Sequence, residues 1–207
     1  MRDLFDAARV YAAQNPAELA AEYDRVAESY DQVLVGEHDW RMPEIMAGLV
    51  AWLLPREARL LDAACGTGLI GEHLARYGFT QIEGLDLSAG MLEVARRKGV
   101  YGPLTCTALG APLPYATATF DAFTVAGAFT PGHAPASALD ELLRVTRAGG
   151  YAIFSLRDDL AQADFHVALA AQAAAGRWSL VHVGAAFQSL PKAEPHVRNR
   201  LYVYQVI

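Results

Sequence analysis

Two short segments carry residues whose types and spacing can do chemistry. In Arg59-Leu-Leu-Asp-Ala-Ala-Cys-Gly-Thr-Gly68 an apolar run ends in a glycine turn, and in Ile82-Glu-Gly-Leu-Asp86 a second apolar run stops at an aspartate. A helix-like stretch lies between them. Strand, glycine turn, helix, strand and acid, in that order, make a nucleoside pocket in a parallel α/β sheet. The turn offers bare backbone to a ligand, and the acid takes two ribose hydroxyls. Gly66-Thr-Gly68-Leu-Ile-Gly71 matches G-x-G-x-x-G, which taken alone points to a dinucleotide. Glycine in such a turn also meets a purely conformational need for positive φ. Asp86 follows Gly68 by 18 residues, near the spacing of a ribose acid. Asp62 discriminates more. It closes the first strand beside the turn, where a buried charge needs partners. A pyrophosphate has no use for an anion there, whereas a cofactor carrying an ammonium and a sulfonium tolerates one.

The elements that must position these residues follow from periodicity. Leu4, Phe5, Ala8, Tyr11 and Ala12 share one face of a helix over 3–13. Asn15 caps a second helix and Pro16 fills its first turn; Leu19, Tyr23, Val26, Ala27 and Tyr30 recur along it at three- and four-residue steps. A polar stretch over 36–41 leads to a helix that starts at Pro43 and stops before Pro55. Strands are then expected over 59–64, 81–86, 103–107, 120–126 and 151–156. Helices fall between them, one capped by Ser88 and stopped by Gly99, and another, 136–146, closed by Gly149-Gly150. An alanine-rich helix over 159–175 and two alternating strands, 179–187 and 200–207, finish the chain. Such alternation predicts a doubly wound, mostly parallel α/β sheet, with the last two strands pairing antiparallel.

Composition sets bounds. A chain of 207 residues reads as one domain with a single core, residues 1–42 forming a helical amino-terminal lid and 43–207 the sheet-bearing part. The formal charge of −6 makes a nucleic-acid partner unexpected. The basic run Arg96-Arg97-Lys98 reads as a solvated cap at the negative end of a helix dipole. No apolar stretch reaches the roughly 20 residues of a membrane span. Two cysteines, Cys65 and Cys106, form no disulfide framework, and a reducing, cytoplasmic setting is expected. His73, His166, His182 and His196 lack metal-ligand spacing, so no metal is expected.

Leu61-Asp-Ala-Ala-Cys-Gly-Thr-Gly68 with Leu85-Asp-Leu-Ser-Ala-Gly-Met-Leu92 resembles motifs I and II of the class I S-adenosylmethionine-dependent methyltransferases. The resemblance continues through Phe120-Asp121, Ala148-Gly-Gly150 and the amino-terminal helix Tyr23-Asp-Arg-Val-Ala-Glu-Ser-Tyr-Asp31. It is strongest to the small-molecule branch that includes the methyltransferase-like 27 group. It implies a Rossmann-like, seven-stranded sheet with an antiparallel carboxyl-terminal strand. It also implies S-adenosyl-L-methionine as cofactor, S-adenosyl-L-homocysteine as its product, and a small-molecule acceptor. By the same resemblance the backbone of Ala64, Cys65, Gly66 and Gly68 lines the methionyl part; Asp62 is expected at the cofactor from its position and charge, directly or through loop amides and water. Asp86 binds the ribose, and Leu87 and Met91 face the adenine. Relatives often hold the adenine amino group with an aspartate after the third strand. This chain reads Thr107-Ala108-Leu109-Gly110 there, which leaves the task to backbone groups of Ala108 and Leu109. Val125, Ala126 and Gly127 border the reacting methyl, and Tyr30 and Arg41 complete the cofactor set, Arg41 at the cofactor carboxylate.

The chemistry implied is in-line displacement at a sulfonium methyl group. Alignment of the reactants is its main requirement, and a base is needed only for a protonated acceptor. Tyr23, Tyr30, His38, Phe129, His133 and Arg157 are candidates around the mouth, and none is singled out as a catalytic base. Use of the cofactor for a reaction other than methyl transfer stays open, and so do two further readings. One is an NAD(P)-dependent oxidoreductase, on the literal glycine fingerprint. The other is a cofactor-binding protein without catalysis. The acceptor, its reacting atom and the oligomeric state are not legible.

Overall fold

The computed structural model describes residues 9–10, 12–130, 132–158 and 163–207. Most of the helix expected over 3–13, and the start of the one expected from 159, lie outside these residues. Seven strands form one sheet: β1 Leu60–Ala63, β2 Ile82–Asp86, β3 Leu104–Cys106, β4 Phe120–Val125, β5 Thr146–Arg157, β6 Trp178–Val183 and β7 Asn199–Val206. Their order is β3-β2-β1-β4-β5-β7-β6. The pairs among β1 to β5 are parallel, and β7 runs antiparallel to both β5 and β6. Helices α1 Pro16–Asp31, α2 Met42–Leu53, α3 Leu69–Arg76, α4 Ala89–Lys98, α5 Ala138–Val145 and α6 Ala163–Ala174 complete the described elements, with a π-helical turn over Gln32–Glu37.

Every residue of β1 and β2 is buried, as strands covered on both faces require, and Glu83 inside β2 pairs with Arg59. Leu60 joins the core layer under α2 and α3, with Met46, Val50 and Leu74, while Leu61 joins the opposite layer with Phe123, Leu139 and Phe154. The order reverses between β1 and β4, since β1 continues to β2 on one side and β4 on the other. That reversal opens a crevice at the carboxyl ends of the strands.

Local chemistry sets the helix ends. Asn15 Oδ1 accepts from the Glu18 amide at 3.0 Å, and Glu18 Oε2 accepts in return from the Gln14 amide at 2.8 Å. Ser88 Oγ accepts from the Met91 amide at 3.0 Å, and Gly99 closes α4 in the left-handed region.

Three expectations are corrected. Gly149-Gly150 does not close a helix: α5 ends at Val145, and the glycines lie in a bulge of β5, which begins five residues early. A Cβ on Gly150 would come within 2.5 Å of the Asp121 carbonyl oxygen, so only glycine lets the two strands close there. β6 stops at Val183, and Phe187 keeps a single bridge to Asn199. Finally, Lys98 is no solvated cap. Its ammonium lies 2.6 Å from both Asp31 and Glu72, with the side chain 13% exposed.

Lys98 is one of several contacts that hold α1. Asp24, Glu28 and Asp31 form one helical stripe. Asp24 Oδ1 accepts from Ser88 Oγ at 2.5 Å and from the Gly90 amide at 2.7 Å, at the start of α4. Glu28 pairs with Arg97, while Asp31 takes Lys98 and the Thr67 hydroxyl of the glycine turn. Val26 and Ala27 bury against Met91 beside this stripe.

Tyr101 fills the space behind the turn. Its hydroxyl donates to Asp62 Oδ2 at 2.6 Å and accepts from the Gly71 amide at 3.1 Å. A Cβ on Gly68 would meet the Tyr101 ring at 2.7 Å, and one on Gly71 would overlap it. Two glycines of the fingerprint are therefore required by the packing of a tyrosine. Tyr101→Phe leaves the Gly71 amide and one Asp62 oxygen without this partner. Urea unfolding should show a loss of about 1–3 kcal/mol; an unchanged midpoint would contradict this role.

Candidate active site

The turn between β1 and α3 is tied to the end of β2 by backbone and by one side chain. The Cys65 amide donates to the Leu85 carbonyl at 2.9 Å, and the Gly66 amide donates to Asp86 Oδ2 at 2.8 Å. Asp86 Oδ1 accepts from the Ser88 amide at 2.9 Å. The carboxylate is thus fixed by both flanking loops. Gly66 has φ +54°, and a Cβ there would meet nothing within 4 Å, so its need is conformational and its face is open. Ala64 adopts φ +59° without being glycine. An L-residue there carries roughly 1–2 kcal/mol of strain, stored at the floor of the crevice.

This crevice is a cavity of about 420 Å³. A second cavity, of about 290 Å³, adjoins it, and Tyr23, Tyr30, Trp40, Gly127 and His133 line both. Of the residues expected at the cofactor, Tyr30, Ala64, Cys65, Gly66, Asp86, Leu87, Met91, Ala108, Leu109 and Ala126 line the larger cavity. Of the acceptor candidates, Tyr23, Gly127 and His133 line both, and Arg157 and His38 line the smaller.

The remaining residues stand elsewhere. Arg41 is half exposed, its guanidinium 2.8 Å from Asp39, and lines neither cavity. Asp62 is fully buried behind the turn and accepts from Tyr101 and from Thr124 Oγ1, the latter at 2.9 Å. Gly68 packs on Tyr101, and Val125 is sealed in the core. Phe129 is 1% exposed and packs against Phe154 and Phe165 at centroid distances of 5.5 and 4.5 Å; it is core, not a cavity wall. Sequence reasoning missed Trp40, Thr67, Ile70 and Pro135, which line the larger cavity. Half of the Thr67 signal was available, a hydroxyl between the two glycines; its partner Asp31, 36 residues away, was not.

Residues 61–154 match the methyltransferase domain family. The chain is 39% identical over 171 residues to human methyltransferase-like protein 27, covering 79% of this chain and 69% of that protein. The chain belongs to the S-adenosylmethionine-dependent methyltransferases. It is also 35% identical over 145 residues to a demethylmenaquinone methyltransferase of Renibacterium salmoninarum, covering 66% of this chain and 57% of that enzyme's length. Among solved structures, magnesium protoporphyrin IX methyltransferase from Synechocystis, with S-adenosylmethionine bound, shares the fold. Its TM-score is 0.71 at 16% identity, over 95% of this chain and 99% of that one. A TehB-like methyltransferase from Corynebacterium glutamicum gives a TM-score of 0.67 at 21% identity, over 90% and 99%. Among the described residues, no helix of this methyltransferase is long and apolar enough to cross a membrane.

Two buried carboxylates set the charge of the methyltransferase's site. Burial raises Asp86 to about 6, against the lowering effect of amide hydrogen bonds from Ser88, Gly66 and Leu87. Burial likewise raises Asp62 to about 6, opposed by the hydroxyls of Tyr101 and Thr124. The Cys65 thiol is pushed well up by burial and by both aspartates, and so stays protonated. A carboxyl raised on folding stabilises the protein when protonated, and that contribution is lost as pH rises from about 4 through 6. Asp62→Asn removes it at one position. The stability of the variant relative to wild type should therefore rise between pH 4 and pH 8, by up to about 3 kcal/mol. Denaturant titrations at the two pH values check this; a constant difference would contradict the burial argument.

Proposed function

We propose that this protein transfers a methyl group from S-adenosylmethionine to a small-molecule acceptor and releases S-adenosylhomocysteine. One observation carries the reading. A carboxylate 5% exposed, Asp86, is held by backbone amides at the wall of a cavity whose floor is the open backbone at Gly66. A nucleoside diol suits that pair of oxygens. In this reading Ala64, Cys65 and Gly66 hold the methionyl part, Leu87 and Met91 cover the adenine, and backbone groups of Ala108 and Leu109 meet its edge. Asp62 acts at one remove, by fixing Tyr101 and through it the turn. Arg41 takes no part.

When bound, the donor supplies an activated methyl on a positively charged sulfur. The protein's task is to place an acceptor in line with it and to keep water out. Positioning of this kind is worth roughly 7–11 kcal/mol. Gly127, common to both cavities and lacking a side chain, gives the acceptor a path to the donor. The stripe of Asp24, Glu28 and Asp31 holds α1 beside them, with Tyr23 and Tyr30 facing inward. Small-molecule acceptors appear in the names of the related demethylmenaquinone and magnesium protoporphyrin IX methyltransferases. The size of the second cavity supports the same class here.

Calorimetry tests the reading. S-adenosylhomocysteine should bind the wild type, and NAD(H) and NADP(H) should not. Asp86→Ala should weaken binding roughly ten- to hundredfold, as loss of hydrogen bonds to a charged group implies. Binding of a nicotinamide cofactor instead, or an unaffected Asp86→Ala variant, would overturn it.

A further inference from the structure

Where the two cavities meet, three side chains form a chain of hydrogen bonds. Thr130 Oγ1 lies 3.0 Å from His133 Nδ1, and His133 Nε2 lies 3.0 Å from the Tyr23 hydroxyl. Tyr23 comes from α1 and the other two from the loop after β4, so the chain exists only because α1 is docked. Both Tyr23 and His133 face both cavities. Thr130 is buried; in the tautomer with the proton on Nδ1, His133 donates to the Thr130 oxygen and Nε2 accepts from Tyr23, the form the relay requires. The aromatic surround is continuous. Tyr23 meets Tyr30 edge-on at 6.2 Å, and Tyr30 meets Trp40 edge-on at 6.5 Å.

Resting on the methyl-transfer reading, we propose that Tyr23 and His133 form a proton relay that deprotonates an un-ionised hydroxyl on an aromatic ring seated in the second cavity. The wall common to both cavities carries the rings of Tyr23, Tyr30 and Trp40, and a flat aromatic acceptor packs best against such a wall. A thiolate or carboxylate acceptor would give the relay nothing to do, whereas a phenolic oxygen must lose its proton. In the step, the acceptor oxygen bonds to the methyl carbon as the carbon–sulfur bond breaks and its electron pair returns to sulfur. The acceptor proton passes to the Tyr23 oxygen, and the Tyr23 proton passes to His133 Nε2. The imidazolium so formed keeps its Nδ1–H on Thr130. Tyr23 and His133 are thus the catalytic residues, and Thr130 is a positioning residue that holds the imidazole against Tyr23.

The test uses two probes at neutral pH, phenol, which is un-ionised, and thiophenol, which is ionised and needs no base. Wild type, Tyr23→Phe and His133→Asn are compared with S-adenosylmethionine binding measured in parallel by calorimetry. Wild type should convert phenol to anisole. In each variant the ratio of phenol to thiophenol turnover should fall about 100-fold or more, within the 10²–10⁴-fold range of a positioned base. Equal losses on both probes would show a packing role and overturn the proposal. So would a wild type that binds the donor but leaves phenol untouched. Failure to bind the donor at all would instead overturn the methyl-transfer reading beneath it.

Discussion

The bond from the Gly66 amide to the Asp86 carboxylate is the constraint on which the site depends. It joins the turn after β1 to the end of β2, the two places where a nucleoside must be met at once. Asp86 is anchored a second time by Ser88, so its oxygens have fixed positions before any ligand arrives. Preorganisation of that kind avoids an ordering cost on binding. Its own cost is a carboxylate taken out of water, seen in the rise of Asp86 to about 6. A positively charged donor compensates that cost more naturally than a pyrophosphate would.

Behind this bond stands a second polar network, Thr124–Asp62–Tyr101–Gly71, with each link a hydrogen bond. It holds the far side of the turn without touching the cavity. In front of it stands α1, clamped by three acids on one stripe. The cavity wall is therefore assembled from segments far apart in the chain. Asp24 and Asp31 act on the same helix that brings Tyr23 to His133, so docking and the arrangement of the mouth are one event.

The chain's sequence carried the fold well where the signal was local. Asn15-Pro16, Ser88 and Gly99 mark helix ends through chemistry within four residues, and the buried runs of β1 and β2 announce central strands. Asp86 and Gly66 were legible because strand, turn and acid come in a fixed order. What was not legible depends on partners distant in the chain. Tyr101 has no periodic pattern around it, and its hydroxyl finds Asp62 39 residues away. Lys98 looked like a helix cap until Asp31 and Glu72 were brought to it. Phe129 has the composition of a mouth residue, yet two other phenylalanines take it into the core. Arg41 was assigned by resemblance, and a neighbouring aspartate holds it. Gly149-Gly150 reads as a helix stop because a bulge and a cap ask for the same residue.

The most direct measurement is a crystal structure of the protein soaked with S-adenosylhomocysteine. The account predicts both ribose hydroxyls within about 3 Å of the Asp86 oxygens, and the sulfur turned toward Gly127 and the second cavity. A ribose that avoids Asp86, or a sulfur that faces away from Gly127, would contradict it.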